Sequence, residues 1–176
     1  MEHEGRAVVF ENLQDLAERL DRDDLDMTAD DILVLKNIGP KGAPGMPEAG
    51  YMPIPRKLAR AGVKDIVRIS DGRMSGTAFG TIVLHVTPES AIGGPLAWVQ
   101  TGDRIRLSVS KRSLQWLVSD EELARRQAAH PVREPNAERG YRKLYLQSVN
   151  QADQGADFDF LCPPGPRQKV PRPSGD

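Results

Sequence analysis

Two glycine- and proline-rich segments, each set directly after a short apolar run, constrain this chain more than any other feature. The first, Gly39-Pro-Lys-Gly-Ala-Pro-Gly-Met-Pro-Glu48, follows Ile32-Leu-Val-Leu35. The second, Ser70-Asp-Gly-Arg-Met-Ser-Gly-Thr-Ala-Phe-Gly80, follows Asp65-Ile-Val-Arg-Ile69. A continuous apolar run of four residues reads as a strand buried on both faces. Glycines at the end of such a strand let the backbone come close to a small ligand. Residues 39–55 carry five prolines, which excludes both a helix and a central strand. A loop of that length inside a compact domain is commonly functional.

The 176 residues suffice for one domain with a real core. A net charge of −1 supplies no general attraction for nucleic acid or an anionic membrane, and neither is expected as a partner. No run approaches the ~18 apolar residues of a membrane span, and Met1-Glu-His-Glu-Gly5 lacks the basic and apolar parts of a signal peptide. The single cysteine, Cys162, excludes an intrachain disulfide, so a cytoplasmic location is expected. His3, His85 and His130 lie far apart, without zinc-ligand spacing. Phosphate-binding motifs of the Gly-x-x-x-x-Gly-Lys-Ser/Thr and Gly-x-Gly-x-x-Gly types are missing, which leaves a nucleotide-binding reading resting on the first loop alone.

Periodicity and turn chemistry predict strands at 7–10, 32–35, 66–69, 81–86, 95–99, 103–109 and 113–118. Asn12 should cap a helix with Leu13, Leu16, Ala17 and Leu20 on one face. The acidic stretch 21–31 reads as a solvated turn. Pro55 should open a helix that Gly62 stops. Residues 88–94 read as a helical turn ended by glycines. Ser119-Asp-Glu-Glu122 is a capping box for a helix through Ala129, ended by Pro131. From Gly140 a second helix is predicted, with Tyr141, Leu144, Tyr145, Ser148 and Val149 on one face, able to dock on another domain. Residues 162–176 hold five prolines without periodicity and are expected to be a disordered tail, leaving residues 1–161 as the domain. The sum is an α/β fold: a mixed sheet or small barrel flanked by helices.

The two loops carry the chemistry. Ser75 is either a hydroxyl that ties down a turn or a base or nucleophile, which would need something to stabilise its alkoxide. Its surroundings, Gly72-Arg-Met-Ser-Gly76, are not an esterase elbow, because Arg73 intrudes and the glycine spacing differs. Metal ions are then the natural activators. Glu48 is either a solvated loop charge or an oxygen ligand for a hard cation such as magnesium. Arg73 and Lys41 either clamp a substrate carboxylate or pair with Asp71 and Glu48.

Four stretches in order resemble the C-terminal domain of the dihydroxy-acid/sugar-acid dehydratase family. They are residues 39–48, Ser70-Asp-Gly-Arg-Met-Ser-Gly-Thr77, His85-Val-Thr-Pro-Glu-Ser-Ala-Ile-Gly-Gly-Pro95 and Val118-Ser-Asp-Glu-Glu-Leu-Ala-Arg-Arg126. The run Asp71 to His85 and the ending Gln151-Ala-Asp-Gln-Gly-Ala-Asp-Phe-Asp-Phe-Leu161 are closest to the aldonate (arabinonate- or xylonate-type) branch. The resemblance implies a swivelling β/β/α domain with a barrel-like mixed sheet, its two glycine-rich loops at one end. It also implies a hydro-lyase that converts a 2,3-dihydroxy acid to a 2-keto-3-deoxy acid with a [2Fe–2S] cluster and Mg2+. Carried over, Ser75 matches the base on the C2 proton, Glu48 a magnesium ligand, and Thr77 a position lining the substrate pocket. Arg73 is expected to bind substrate.

The resemblance also sets an expectation about what the chain lacks. The family's cluster cysteines and remaining magnesium ligands lie in an N-terminal domain that has no counterpart in these residues. Neither cofactor is expected to bind stably to this chain alone, which should be inactive in isolation. The implied partners are a sugar-acid or dihydroxy-acid substrate, the cluster-binding domain, and further copies in a homo-oligomer. The rival reading is a non-catalytic assembly module or a subunit of a split dehydratase.

Overall fold

The computed structural model describes residues 1–47 and 52–162. Six strands form one mixed sheet in the order β4-β3-β2-β1-β5-β6. They are β1 (Glu2–Phe10), β2 (Ile32–Leu35), β3 (Val67–Ser70), β4 (Ile82–Val83), β5 (Arg104–Ser108) and β6 (Ser113–Trp116). Strand β1 is the joint. Its first half, from Glu2 to Arg6, pairs antiparallel with β5, and its second half, from Ala7 to Phe10, pairs parallel with β2. Parallel pairing continues from β2 to β3 and from β3 to β4, while β5 and β6 form an antiparallel hairpin. The expected barrel-like α/β sheet is present as a curled half-barrel, ending at β4 on one side and β6 on the other.

Both faces of the parallel half are covered, as unbroken apolar runs require. The period-two alternation sends Val8, Phe10, Leu33 and Leu35 to one core, with Leu16 and Leu20 of helix α1 (Leu13–Arg19), Leu25, Met27 and Met74. Ala7, Val9, Ile32, Val34, Val67 and Ile69 face a second core with Leu96, Val99, Ile105 and Leu107. Asn12 caps α1 as its sequence predicts, accepting from the Asp15 N–H. Helix α2 (Arg56–Arg60) stops before Gly62, whose φ of 86° suits a residue without Cβ. Helix α3 (Asp120–Ala129) starts on the Ser119 hydroxyl, which accepts from the Glu122 N–H.

Four expectations change. Residues 95–98 form a 3-10 turn rather than a strand, because Gly94 and Pro95 start it in the way proline favours at a first helical position. The strand expected over 81–86 pairs only at Ile82 and Val83. After it His85 adopts φ 56°, turning the chain so that the His85 and Val86 N–H groups donate to the Gly72 and Ser70 carbonyls. The acidic stretch is not simply solvated: Leu25 and Met27 are buried, and Asp31 is buried in a two-pronged pair with Arg6. In helix α4 (Gly140–Ser148), Leu146 and the following Val149 are buried, while Tyr141 and Leu144 face outward. The expected tail beyond Cys162 lies outside the described residues.

Candidate active site at the carboxyl edge of the parallel strands

Because β2 and β3 run parallel in register, Leu35 lies opposite Ser70, and both glycine-rich loops leave the same edge of the sheet. This is the edge where open α/β sheets bind ligands. Two buried carboxylates build it. Asp71, the residue after β3, is fully buried and accepts the N–H groups of Asn37 at 3.2 Å, Ile38 at 3.0 Å and Ser90 at 2.9 Å, together with the Ser90 hydroxyl. It joins the exits of β2 and β3 to the turn Ser90–Ile92. Glu89 is equally buried and accepts the N–H of Lys41 at 2.9 Å and of Gly42 at 2.8 Å. Gln151 completes this second node, donating to Glu89 Oε1 at 2.6 Å and accepting the Glu89 N–H at 2.9 Å.

The second loop is presented differently. Ser75 Oγ and Thr77 Oγ1 lie 2.9 Å apart, and the Thr77 N–H donates to Ser75 Oγ at 3.3 Å. Thr77 is exposed and Ser75 partly so, while Met74 beside them is buried in the core. Arg73 is exposed and forms no ion pair with any described residue. It does not pair with Asp71, whose oxygens are committed to backbone donors. Lys41 turns to Glu134, 3.4 Å away. Arg73 lines an open depression of about 380 Å³ with Gly45 and Met46 of the first loop, His85, Tyr145 and Gly155. Both loops therefore contribute to one hollow. The Tyr145 phenol is pushed above its usual range, chiefly by burial and also by the charge of Glu89.

Residues 1–156 match the family model described as dihydroxy-acid/6-phosphogluconate dehydratase C-terminal. The chain belongs to this dehydratase family. It is 54% identical over 159 residues to a 6-deoxy-6-sulfo-D-gluconate dehydratase of Pseudomonas putida, covering 90% of this chain and 28% of that protein. To the L-arabinonate dehydratase of Rhizobium leguminosarum bv. trifolii (strain WSM2304) it is 53% identical over 159 residues, again 90% of this chain and 28% of the relative. To the dihydroxy-acid dehydratase of Clostridium beijerinckii (strain ATCC 51743 / NCIMB 8052) identity is 38% over 160 residues, 91% of this chain and 28% of the relative. The chain thus spans about 28% of the length of these curated relatives.

In this dehydratase domain the described residues do not by themselves make up either implied cofactor site. An iron–sulfur cluster normally takes four thiolates. Cys162 is the only cysteine, and its thiol is half-buried, donating to the Phe158 carbonyl and accepting from the Asn150 amide. Among the described residues no group of three His, Cys, Asp or Glu could hold a metal ion. Glu48 lies outside the described residues. An iron–sulfur cluster of that kind would have to draw its remaining thiolates from outside these 176 residues. No helix among the described residues is long and apolar enough to cross a membrane.

Sequence reasoning singled out Ser75, Thr77, Arg73 and Glu48, and the first three share one loop on one edge. It missed Glu89, Gln151, Tyr145 and His85. Glu89 carried a readable signal, a carboxylate within a glycine-ended turn, but its partners lie 47 to 62 residues away and only folding names them. Tyr145 was placed on a docking face, and it packs edge-on against Phe158 and lines the hollow together with Gly45 and Met46 of the first loop.

Proposed function

We propose that this domain supplies the proton-abstracting serine of a hydro-lyase that dehydrates a 2,3-dihydroxy sugar acid to a 2-keto-3-deoxy acid. The observation that carries the reading is the Ser75–Thr77 hydroxyl pair, exposed beside an Arg73-lined hollow at the carboxyl edge of the parallel strands. A serine serves as a base only where its alkoxide is stabilised. Here the Thr77 N–H points at Ser75 Oγ, and the Thr77 hydroxyl is in place to add a second donor. The Ser75 alkoxide takes the C2 proton, the electron pair forms the C2–C3 double bond, and the C3 oxygen leaves as water once protonated. The resulting enol tautomerises to the 2-keto acid, with no change in overall oxidation state. Arg73 fits a carboxylate or other anionic group of the substrate. The sugar-acid branch is favoured by the identities of 54% and 53% to dehydratases named for sugar acids, against 38% to one named for dihydroxy acids.

The test is a substrate panel on the full protein, with aldonic acids set against branched-chain 2,3-dihydroxy acids and 2-keto acid formation as readout. The expected result is kcat/KM at least about tenfold higher for one or more aldonic acids, equivalent to about 1.4 kcal/mol of differential transition-state binding. A preference for the branched-chain acids would overturn the sugar-acid assignment. Absence of keto acid from both groups would overturn the hydro-lyase reading.

A further inference from the structure

We infer that Glu89 and Gln151 form a latch that positions the first glycine-rich loop for substrate, making Glu89 a positioning residue of the site. The inference rests on the hydro-lyase reading only for its effect on turnover, since the latch itself stands on geometry. Glu89 Oε2 accepts the Lys41 N–H at 3.0 Å and the Gly42 N–H at 2.8 Å, and Oε1 accepts the Lys41 N–H at 2.9 Å. The loop is thus gripped by its backbone rather than by side chains. The grip is close. A Cβ built at Gly39 would lie 2.6 Å from Glu89 Oε2, so only glycine lets the strand exit pass the carboxylate. The latch residues lie at 89 and 151, so the far part of the chain sets residues 41 and 42, on the loop that leads to Glu48 in sequence.

The hydrogen-bond inventory of the pair makes the latch specific. A carboxylate at 89 only accepts, and it faces donors from Lys41, Gly42 and the Gln151 amide. The Gln151 amide is orientated, with its nitrogen donating to Glu89 and its oxygen accepting the Glu89 N–H. Glu89→Gln keeps the shape but turns one acceptor into a donor. Its oxygen can serve the loop, which leaves its amide nitrogen facing the Gln151 nitrogen. Flipping Gln151 then sets donor against donor at the residue 89 N–H. No arrangement satisfies every group, and a buried unmade hydrogen bond is costly. Gln151→Glu alone sets two carboxylates against each other. Together, Glu89→Gln and Gln151→Glu restore the donor–acceptor pairs between the two side chains and at the residue 89 N–H with the polarity reversed, and the Lys41 N–H keeps its bond to the remaining oxygen.

The experiment is that double-mutant cycle in the full protein, read by amide exchange and by kcat/KM on the aldonic acid turned over best. Glu89→Gln should speed exchange at Lys41 and Gly42 about tenfold while the amides of β2 and β3 keep their protection. It should also lower kcat/KM about tenfold at a temperature where circular dichroism shows the fold intact. Adding Gln151→Glu should bring both readouts back to within about threefold of wild type. Should Glu89→Gln fail to fold, Gln151→Ala takes its place, with faster Lys41 and Gly42 exchange expected. Unchanged exchange at Lys41 and Gly42 in the single variants would overturn the latch. A double variant no better than the worse single one would overturn it too. A wild-type protein without turnover would sink the dehydratase reading alone, because the exchange readout still decides the latch.

Discussion

The two glycine-rich loops start from adjacent parallel strands at the same edge, yet the molecule treats them in opposite ways. The first is held from beneath, the N–H groups of Lys41 and Gly42 taken up by Glu89. The second hangs from Asp71 and Met74 and carries its hydroxyls outward, with the Ser75 side chain bonded to the Thr77 hydroxyl and N–H and its carbonyl accepting the Ala78 N–H. Reactive side chains are most useful where they meet substrate, and a frame is most rigid where its polar groups are buried and satisfied. A buried carboxylate of the chain itself, Glu89, holds the first loop at Lys41 and Gly42.

The contrast is sharpest at its two serving residues. Asp71→Ala should be the largest perturbation, costing about 3 kcal/mol or more, because it strands the N–H groups of Ile38 and Ser90 and leaves the Asn37 N–H only the Ser90 hydroxyl. Urea unfolding would show it as a lower midpoint at constant slope. A midpoint within the error of wild type would mean that the frame does not depend on this node. Ser75→Ala should behave in the opposite sense, losing about 100-fold or more in kcat, about 2.7 kcal/mol of barrier, while stability changes by about 1 kcal/mol or less. Turnover within a few-fold of wild type would remove Ser75 from the chemistry and make it a turn residue like any other.

Acid should separate the site edge from the opposite side of the sheet. There Asp103 is half-buried, which raises its pKa, but Arg126 bonds to it in two prongs and Trp116 donates to it, holding it below the usual carboxylate range. A depressed carboxylate stabilises the fold above its unfolded value and loses that contribution as pH falls through its folded value. Helix α3, tied down through Arg126, should therefore loosen below about pH 4. Thermal melts against pH should show a steeper acid loss in wild type than in Asp103→Asn, and parallel curves would refute the assignment. The smallest effect is expected for Thr77→Val, which deletes the hydroxyl beside Ser75 but keeps the Thr77 N–H. A drop in kcat of about tenfold, near 1.4 kcal/mol, is what one lost donor to a developing alkoxide is worth. No change would leave the backbone N–H as the working donor.

Local rules settled much of this molecule in advance. The unbroken apolar run 32–35 named β2 as a doubly buried strand, residues 66–69 named the strand before the second loop, Asn12 and Ser119 named helix starts, and the glycine-rich segments named the loops that line the hollow. These features depend on neighbours a few residues apart, where spacing and side-chain type decide the outcome. The errors share a cause as well. Residues 95–98 are apolar enough for a strand, but the turn chemistry of Gly94 and Pro95 prevailed once Leu96 and Val99 found the second core. In α4 the periodicity grouped the right residues on a helix, and packing chose a different face. The parallel pairing that brings both loops to one edge, and the buried carboxylates that serve backbone N–H groups far along the chain, came only with the tertiary structure. A carboxylate's partners across 34 or 47 residues leave no local trace, because desolvation and hydrogen bonding are decided by what the fold brings alongside.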